Sequence, residues 1–178
     1  MTRTTPTRRR TLVAVAAAAA ALLAAAGCTS TASAGGSTEP AEIATYAGGQ
    51  TSFGESFTYA NGLVIEVKKP VPFVPTAQAE GLEAADGQPV KVRISIINGS
   101  SVEYVPDTLG VTIVSGGKQA EQIIDPGSRI ELTGPSRALG RSGVVAFDLA
   151  FVVEDPEDLT LSLVPSLGGY DPMVLTTS

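Results

Sequence analysis

Ser115-Gly116-Gly117-Lys118 has the S-x-x-K spacing with which penicillin-recognising serine enzymes set a Lys amine beside a Ser hydroxyl on one helical turn. Here the spacing spans a Gly-Gly pair, which opposes a helix, and no S-D-N or K-T-G partner occurs, so a hairpin turn is expected. Gly140-Arg141-Ser142-Gly143 is one residue short of the G-x-S-x-G nucleophile elbow and also reads as a turn. The 178 residues include no His, no Trp and a single Cys. Neither serine therefore has an imidazole base, and His-ligated metals, thiolate clusters and an intrachain disulfide are excluded. Glu154, Asp155, Glu157 and Asp158 crowd four carboxylates around Pro156, but without EF-hand spacing they read as a solvated loop. Glu121 and Asp125 would serve glycoside hydrolysis only if the fold fixed their separation. Asn98-Gly99-Ser100 matches the N-glycosylation pattern but sits where a strand must turn. Tyr59, Tyr104 and Tyr170, with Phe53 and Phe73, offer an aromatic surface for a sugar or peptide, although packing in the core is the simpler expectation and the lack of Trp weakens the sugar version. No catalytic residue, metal-ligand set or cofactor is assigned.

The single thiol has a more specific context. Residues 1 to 10 are polar and carry Arg3, Arg8, Arg9 and Arg10; an apolar run of 15 residues follows from Leu12 to Ala26, and Gly27-Cys28 ends it. This is the layout of a bacterial export signal. As a helix the run would measure about 22 Å, short of the roughly 30 Å hydrocarbon core, so a permanent span is the weaker reading. Ala25-Ala26-Gly27-Cys28 resembles the lipobox of bacterial lipoproteins, in which the Cys thiol receives a diacylglyceryl group and becomes the new N-terminus. The family usually has Leu three residues before the Cys, where this chain has Ala25; cleavage after Ala24-Ala25-Ala26 would instead release a free thiol. Lipidation at Cys28, with cleavage between Gly27 and Cys28, is the expected outcome. The general secretory and twin-arginine routes both remain open, since Arg8-Arg9 is present but Thr11 stands where the twin-arginine signal has Phe.

Three segments follow from this: a signal peptide over residues 1–27, the lipidated Cys and a flexible tether over 28–50, and a domain over 51–178. The tether is dominated by Ser, Thr, Ala and Gly, too little apolar surface to offset the entropy of ordering, and would reach about 25 Å. After residue 27 the chain has 8 basic against 18 acidic residues, a formal charge near −10, which argues against nucleic acid and leaves membrane attachment to the lipid.

From residue 51 the pattern becomes period-two alternation. Leu63, Ile65 and Val67 form one inward series; Val90, Val92, Ile94 and Ile96 form a second; Val145, Phe147, Leu149 and Phe151 form a third; Leu159, Leu161 and Leu163 form a fourth. Further strands are expected at Phe57–Tyr59, Val111–Val114, Ile130–Leu132 and Met173–Thr176. Asn61-Gly62 predicts a two-residue type I′ hairpin. Residues 76–85 are the nearest approach to a helix, weakened by Gly81. About seven or eight short strands separated by turn residues predict an all-β fold, an antiparallel β-sandwich.

The series Gly62 to Val67, Val90 to Ser100 and Val145 to Phe147, with Phe57-Thr58-Tyr59, Pro70 and Pro72, resembles an immunoglobulin-like domain of unknown function. That domain is common in secreted lipoproteins of Gram-positive bacteria, especially actinobacteria, and is similar to the mycobacterial immunoprotective extracellular antigen family. The resemblance implies an immunoglobulin-like sandwich and an extracellular location, and it supplies no catalytic residue. The expected function is a non-catalytic, lipid-anchored module on the outer face of the membrane that binds a protein or cell-envelope partner. The alternatives are a carrier of a hydrophobic ligand between the sheets and, behind it, a carboxylate- or Ca²⁺-dependent enzyme.

Overall fold

The computed structural model describes residues 45–82 and 87–177. The signal peptide, Cys28 and most of the tether lie outside the described residues. Within them the chain forms β1 (Gly49–Ser52), β2 (Ser56–Thr58), β3 (Leu63–Val67), β4 (Val71–Pro72), β5 (Gln88–Asn98), β6 (Gly110–Ser115), β7 (Lys118–Gln119), β8 (Glu121–Ile123), β9 (Val144–Val153), β10 (Leu159–Val164) and β11 (Met173–Thr176). Two sheets result: β1-β11-β10-β6-β7, and β2-β3-β5-β9-β8 with β4 paired to β5. Their inner faces meet in one cluster that joins Leu63, Ile65, Val92 and Ile94 of one sheet to Ile113, Leu161, Leu163 and Leu175 of the other. Each such side chain, fully buried, contributes about 1.5–3 kcal/mol relative to exposure. The all-β sandwich expected from the alternation is present.

The details depart from expectation where pairing is non-local. The sandwich is antiparallel except at one edge, where β1 runs parallel to β11 with Gly49 opposite Met173 and Ser52 opposite Thr176. The sheet also begins before residue 51: Tyr46 forms a bridge with Tyr170, and its amide donates to the Gly169 carbonyl at 2.8 Å. Ile130–Leu132 is not a strand, since Ile130 makes only an isolated bridge to Asp125. Residues 76–79 close a turn rather than a helix, with Ala79 N–H donating to the Thr76 carbonyl at 3.1 Å. Gly81 sits at φ +91°, which ends any helical path there.

Asn61-Gly62 does turn the β2–β3 hairpin, but as another turn type. Only Gly62 has positive φ, at +93°, whereas a type I′ turn needs it at both residues. Gly62 N–H donates to the Tyr59 carbonyl at 2.8 Å and Tyr59 N–H to the Leu63 carbonyl at 2.9 Å, the pattern of a longer loop closed by a left-handed glycine. Asn61 contributes its side chain, whose Oδ1 accepts from Leu63 N–H at 3.1 Å.

β9 carries a second small core. Its inward residues Leu149, Phe151 and Val153 face the other sheet, while outward Ala150 and Val152 are covered by Ile123 and Ile130, with Phe73, Ala79 and Leu82 packed alongside.

Candidate functional site

The serine motifs are structural. Ser115 ends β6, is 2% exposed, donates to the Asp155 carbonyl at 2.8 Å and accepts from Asp155 N–H at 2.7 Å. Gly116 and Gly117 have φ of +56° and +78°, so a type I′ turn forms here, and Lys118 directs its amine to Glu154 at 2.9 Å. Ser142 lies in a turn at φ 63°, its N–H donating to the Asn98 carbonyl at 2.6 Å. The Asn98 side chain is fully buried: Nδ2 donates to the carbonyls of Val102 and Leu139 at 2.8 and 2.7 Å, and Oδ1 accepts from Ser100. An amide so engaged is closed to glycan attachment. Asn98 thereby ties the loop that follows β5, through the Val102 carbonyl, to Leu139, whose carbonyl also accepts from Tyr104 N–H at 3.1 Å.

The carboxylates separate in the same way. Glu154 pairs with Lys118, Glu157 lies 3.9 Å from Lys69, and Asp155 Oδ1 accepts from Glu157 N–H at 2.9 Å. Among the described residues no group of three or more acidic or thiol side chains is gathered to hold a metal. Glu121 is exposed on β8, whereas Asp125 is fully buried and accepts from Thr76 N–H at 2.9 Å, from the Thr76 hydroxyl, and from Ser128 Oγ at 2.9 Å. The two carboxylates share no common site.

Of the aromatic residues, the fold sends Phe53 to the main core and Phe73 to the second core, and brings the tyrosines together at one end of the sandwich. Tyr59 is 1% exposed, edge-on to Phe57 at 4.9 Å and to Tyr170 at 5.1 Å, and Tyr170 is tilted against Tyr46 at 5.2 Å. These spacings suit favourable edge-to-face and tilted ring pairs. The Tyr59 hydroxyl donates to the Asp171 carbonyl at 3.1 Å, and Asn61 Nδ2 donates to the Tyr170 hydroxyl at 2.6 Å. Tyr104 donates to the Pro165 carbonyl at 2.9 Å. Burial, reinforced by Tyr170 and Asp171, pushes the Tyr59 phenol up to about 12. Burial likewise holds the Tyr104 phenol well above its ordinary value, against the opposing Thr108 hydrogen bond. Both stay neutral donors and are anchors rather than acids.

The ladder of rings ends in a groove of about 460 Å³, lined by Tyr46, Asn61, Val102, Glu103 and Tyr170 among others. Three connections build it: the β2–β3 turn, the loop after β5, and the loop between β10 and β11, joined by Tyr46 before β1. Rigid aromatic faces beside an amide, exposed Val102 and an exposed carboxylate can hold a partly polar, partly apolar ligand. Sequence reasoning named Tyr59, Tyr104 and Tyr170 but missed Tyr46, which it left in the tether, and the roles of Asn61 and Glu103. Tyr46 as the only aromatic in that tether was the available signal.

No protein-family model matches the chain, and no curated protein does. Among solved structures it is similar to the YjhA protein of Bacillus subtilis, with a TM-score of 0.55 at 14% identity over 70% of this chain and 97% of that one. It is also similar to the secreted protein MPT63 of Mycobacterium tuberculosis, with a TM-score of 0.49 at 12% identity over 71% and 94% of the two chains. An uncharacterised β-sandwich protein of Clostridium difficile gives 0.46 at 10% identity over 79% and 100%. The YjhA likeness is one of fold.

Proposed function

We propose that the chain is an exported, non-catalytic binding module, held by a lipid on Cys28 at the outer face of the membrane, whose tyrosine groove takes a segment of a protein or cell-envelope partner. The observation that carries this reading is the ladder Phe57, Tyr59, Tyr170, Tyr46, which runs from the core and opens into the groove. A ladder anchored at its buried end presents its last rings with little entropy left to lose on binding. The facing residues of the two sheets, such as Ile94, Ile113 and Leu161, lie fully buried in one cluster, which favours a groove binder over a carrier with a hydrophobic ligand between the sheets. The export signal and lipobox resemblance support the address. Crosslinking in intact cells tests the reading: a specific neighbour should be captured by the native chain and lost with Tyr46→Ala. Recovery of the protein alone, or equal capture by the Tyr46→Ala variant, rejects the groove as the binding site.

A further inference from the structure

The net charge conceals a segregation. Of the 8 basic residues after position 27, four, Lys68, Lys69, Lys91 and Arg93, line one depression of about 200 Å³ together with Val71 and Asp148. Topology brings them there from separate segments. Lys91 and Arg93 flank inward Val92 on β5 and so share the outer face of their sheet. Lys68 N–H donates to the Arg93 carbonyl at 2.9 Å, which lays the segment after β3 beside Arg93. Val71 on β4 is the register partner of Lys91, and Ala150 on β9 pairs with it from the other side.

Three carboxylates face these cations without consuming them. Glu66 pairs with Lys68, Asp148 lies 3.7 Å from Arg93, and Glu157 lies 3.9 Å from Lys69. The side chains of Lys68, Lys69 and Arg93 are more than half exposed, so the pairs are weakly held and exchangeable. Four cations against three carboxylates leave this spot locally positive within an acidic domain, and at physiological salt charges farther off than roughly 8 Å are largely screened from it. An Arg fork among three ammonium groups matches an oxyanion carrying more than one charge, and the volume suits one such group rather than a larger ligand.

We propose that this depression is a phosphate-group site, distinct from the tyrosine groove. The phosphate is presented either as a free ion or ester, or as the headgroup of an anionic lipid. Exposed Val71 in the floor would sit against the apolar part of either carrier.

The test uses the full chain as exported, in two arms. In the first, inorganic phosphate is titrated and binding read by calorimetry or amide shifts. In the second, attachment to phosphatidylglycerol vesicles is compared with phosphatidylcholine vesicles, the neutral vesicles reporting attachment by the N-terminal segment alone. Saturable binding in the first arm assigns a free phosphate, and a gain confined to the anionic vesicles assigns the headgroup. In whichever arm is positive, Lys91→Gln with Arg93→Gln should weaken binding by about tenfold or more, since each cation near such a surface counts substantially. Lys68→Gln with Lys69→Gln should do the same, and it covers the case in which the first variant fails to fold. Arg137→Gln with Arg141→Gln, in the loop before β9, should leave it unchanged. No binding in either arm, or equal weakening by the Arg137 and Arg141 changes, overturns the proposal.

Discussion

Asp125 is a carboxylate with no exposed surface, and its environment keeps it ionised. Burial alone would raise its pKa, but the donors from Thr76 and Ser128 outweigh that and hold it below the ordinary value. A folded-state pKa lower than the unfolded value, about 3.9, adds stability that is fully present above the unfolded value and disappears as pH falls through the folded one. Asp125→Asn replaces one of two accepting oxygens by an NH2 donor, which then faces either the Thr76 hydroxyl or the Thr76 N–H together with Ser128 Oγ, and should lower Tm by several degrees at pH 7. It should also flatten the loss of stability below pH about 4; thermal unfolding followed by circular dichroism from pH 7 to 2 reads both, and an acid limb identical to the native protein's would show that Asp125 is not its source. The sequence offered Asp125 only as a partner of Glu121 and not as a buried acceptor, because Thr76 approaches from 49 residues away. Asn98 was half-readable for the same reason: its turn is local, whereas the Leu139 carbonyl it satisfies is 41 residues distant.

Strands were legible wherever one face is buried and the other wet, because the side-chain period of two then writes itself into the sequence. β3, β5, β10 and β11 appear close to where Leu63–Val67, Val90–Ile96, Leu159–Leu163 and Met173–Thr176 led us to expect them. Two features escaped, one a strand and the other the second buried face of a strand that was expected. The parallel β1–β11 pair joins chain segments more than 100 residues apart, and β1 has too little apolar content to announce a buried face. The far half of β9, Leu149–Val153, is apolar at every position because both faces are covered, a signal of double burial that alternation alone cannot express. Turn type escaped as well, since Asn-Gly fixes that the chain turns but not how many residues close the loop. Gly62 makes this testable. A Cβ there would lie 3.0 Å from the backbone of Gly99, and its φ is +93°; at Gly117, φ is +78° but nothing lies within 4 Å. Gly117→Ala should therefore cost about 1–2 kcal/mol for the left-handed backbone alone. Gly62→Ala should cost that and the crowding against Gly99 as well. Urea unfolding of the two variants ranks them, and equal costs would mean that the β5 loop yields freely to the added methyl.

At the scale of the whole chain, charge and anchoring are one question. The basic leader and the acidic remainder are readable by counting, but counting hid the gathering of four cations on one face, because residues 68–69 and 91–93 become neighbours only through strand pairing. It equally hid the groove, whose tyrosines come from positions 46, 104 and 170. What counting does support is that a domain near −10 has little overall electrostatic attraction for an anionic bilayer, so stable residence at a membrane needs a hydrophobic device. The proposed device is Cys28. Two acyl chains bury enough CH₂ groups, at about 0.8 kcal/mol each, to make attachment stable where a single chain is marginal. Cys28→Ser removes the only thiol and leaves every residue of the sandwich unchanged. The native protein should fractionate with membranes and show no thiol reactive to maleimide, and the Cys28→Ser protein should appear in the medium. Should the serine variant stay with the membrane, retention belongs to the apolar run Leu12–Ala26 acting as an uncleaved anchor; should native protein in the medium react with maleimide, cleavage has occurred without lipidation.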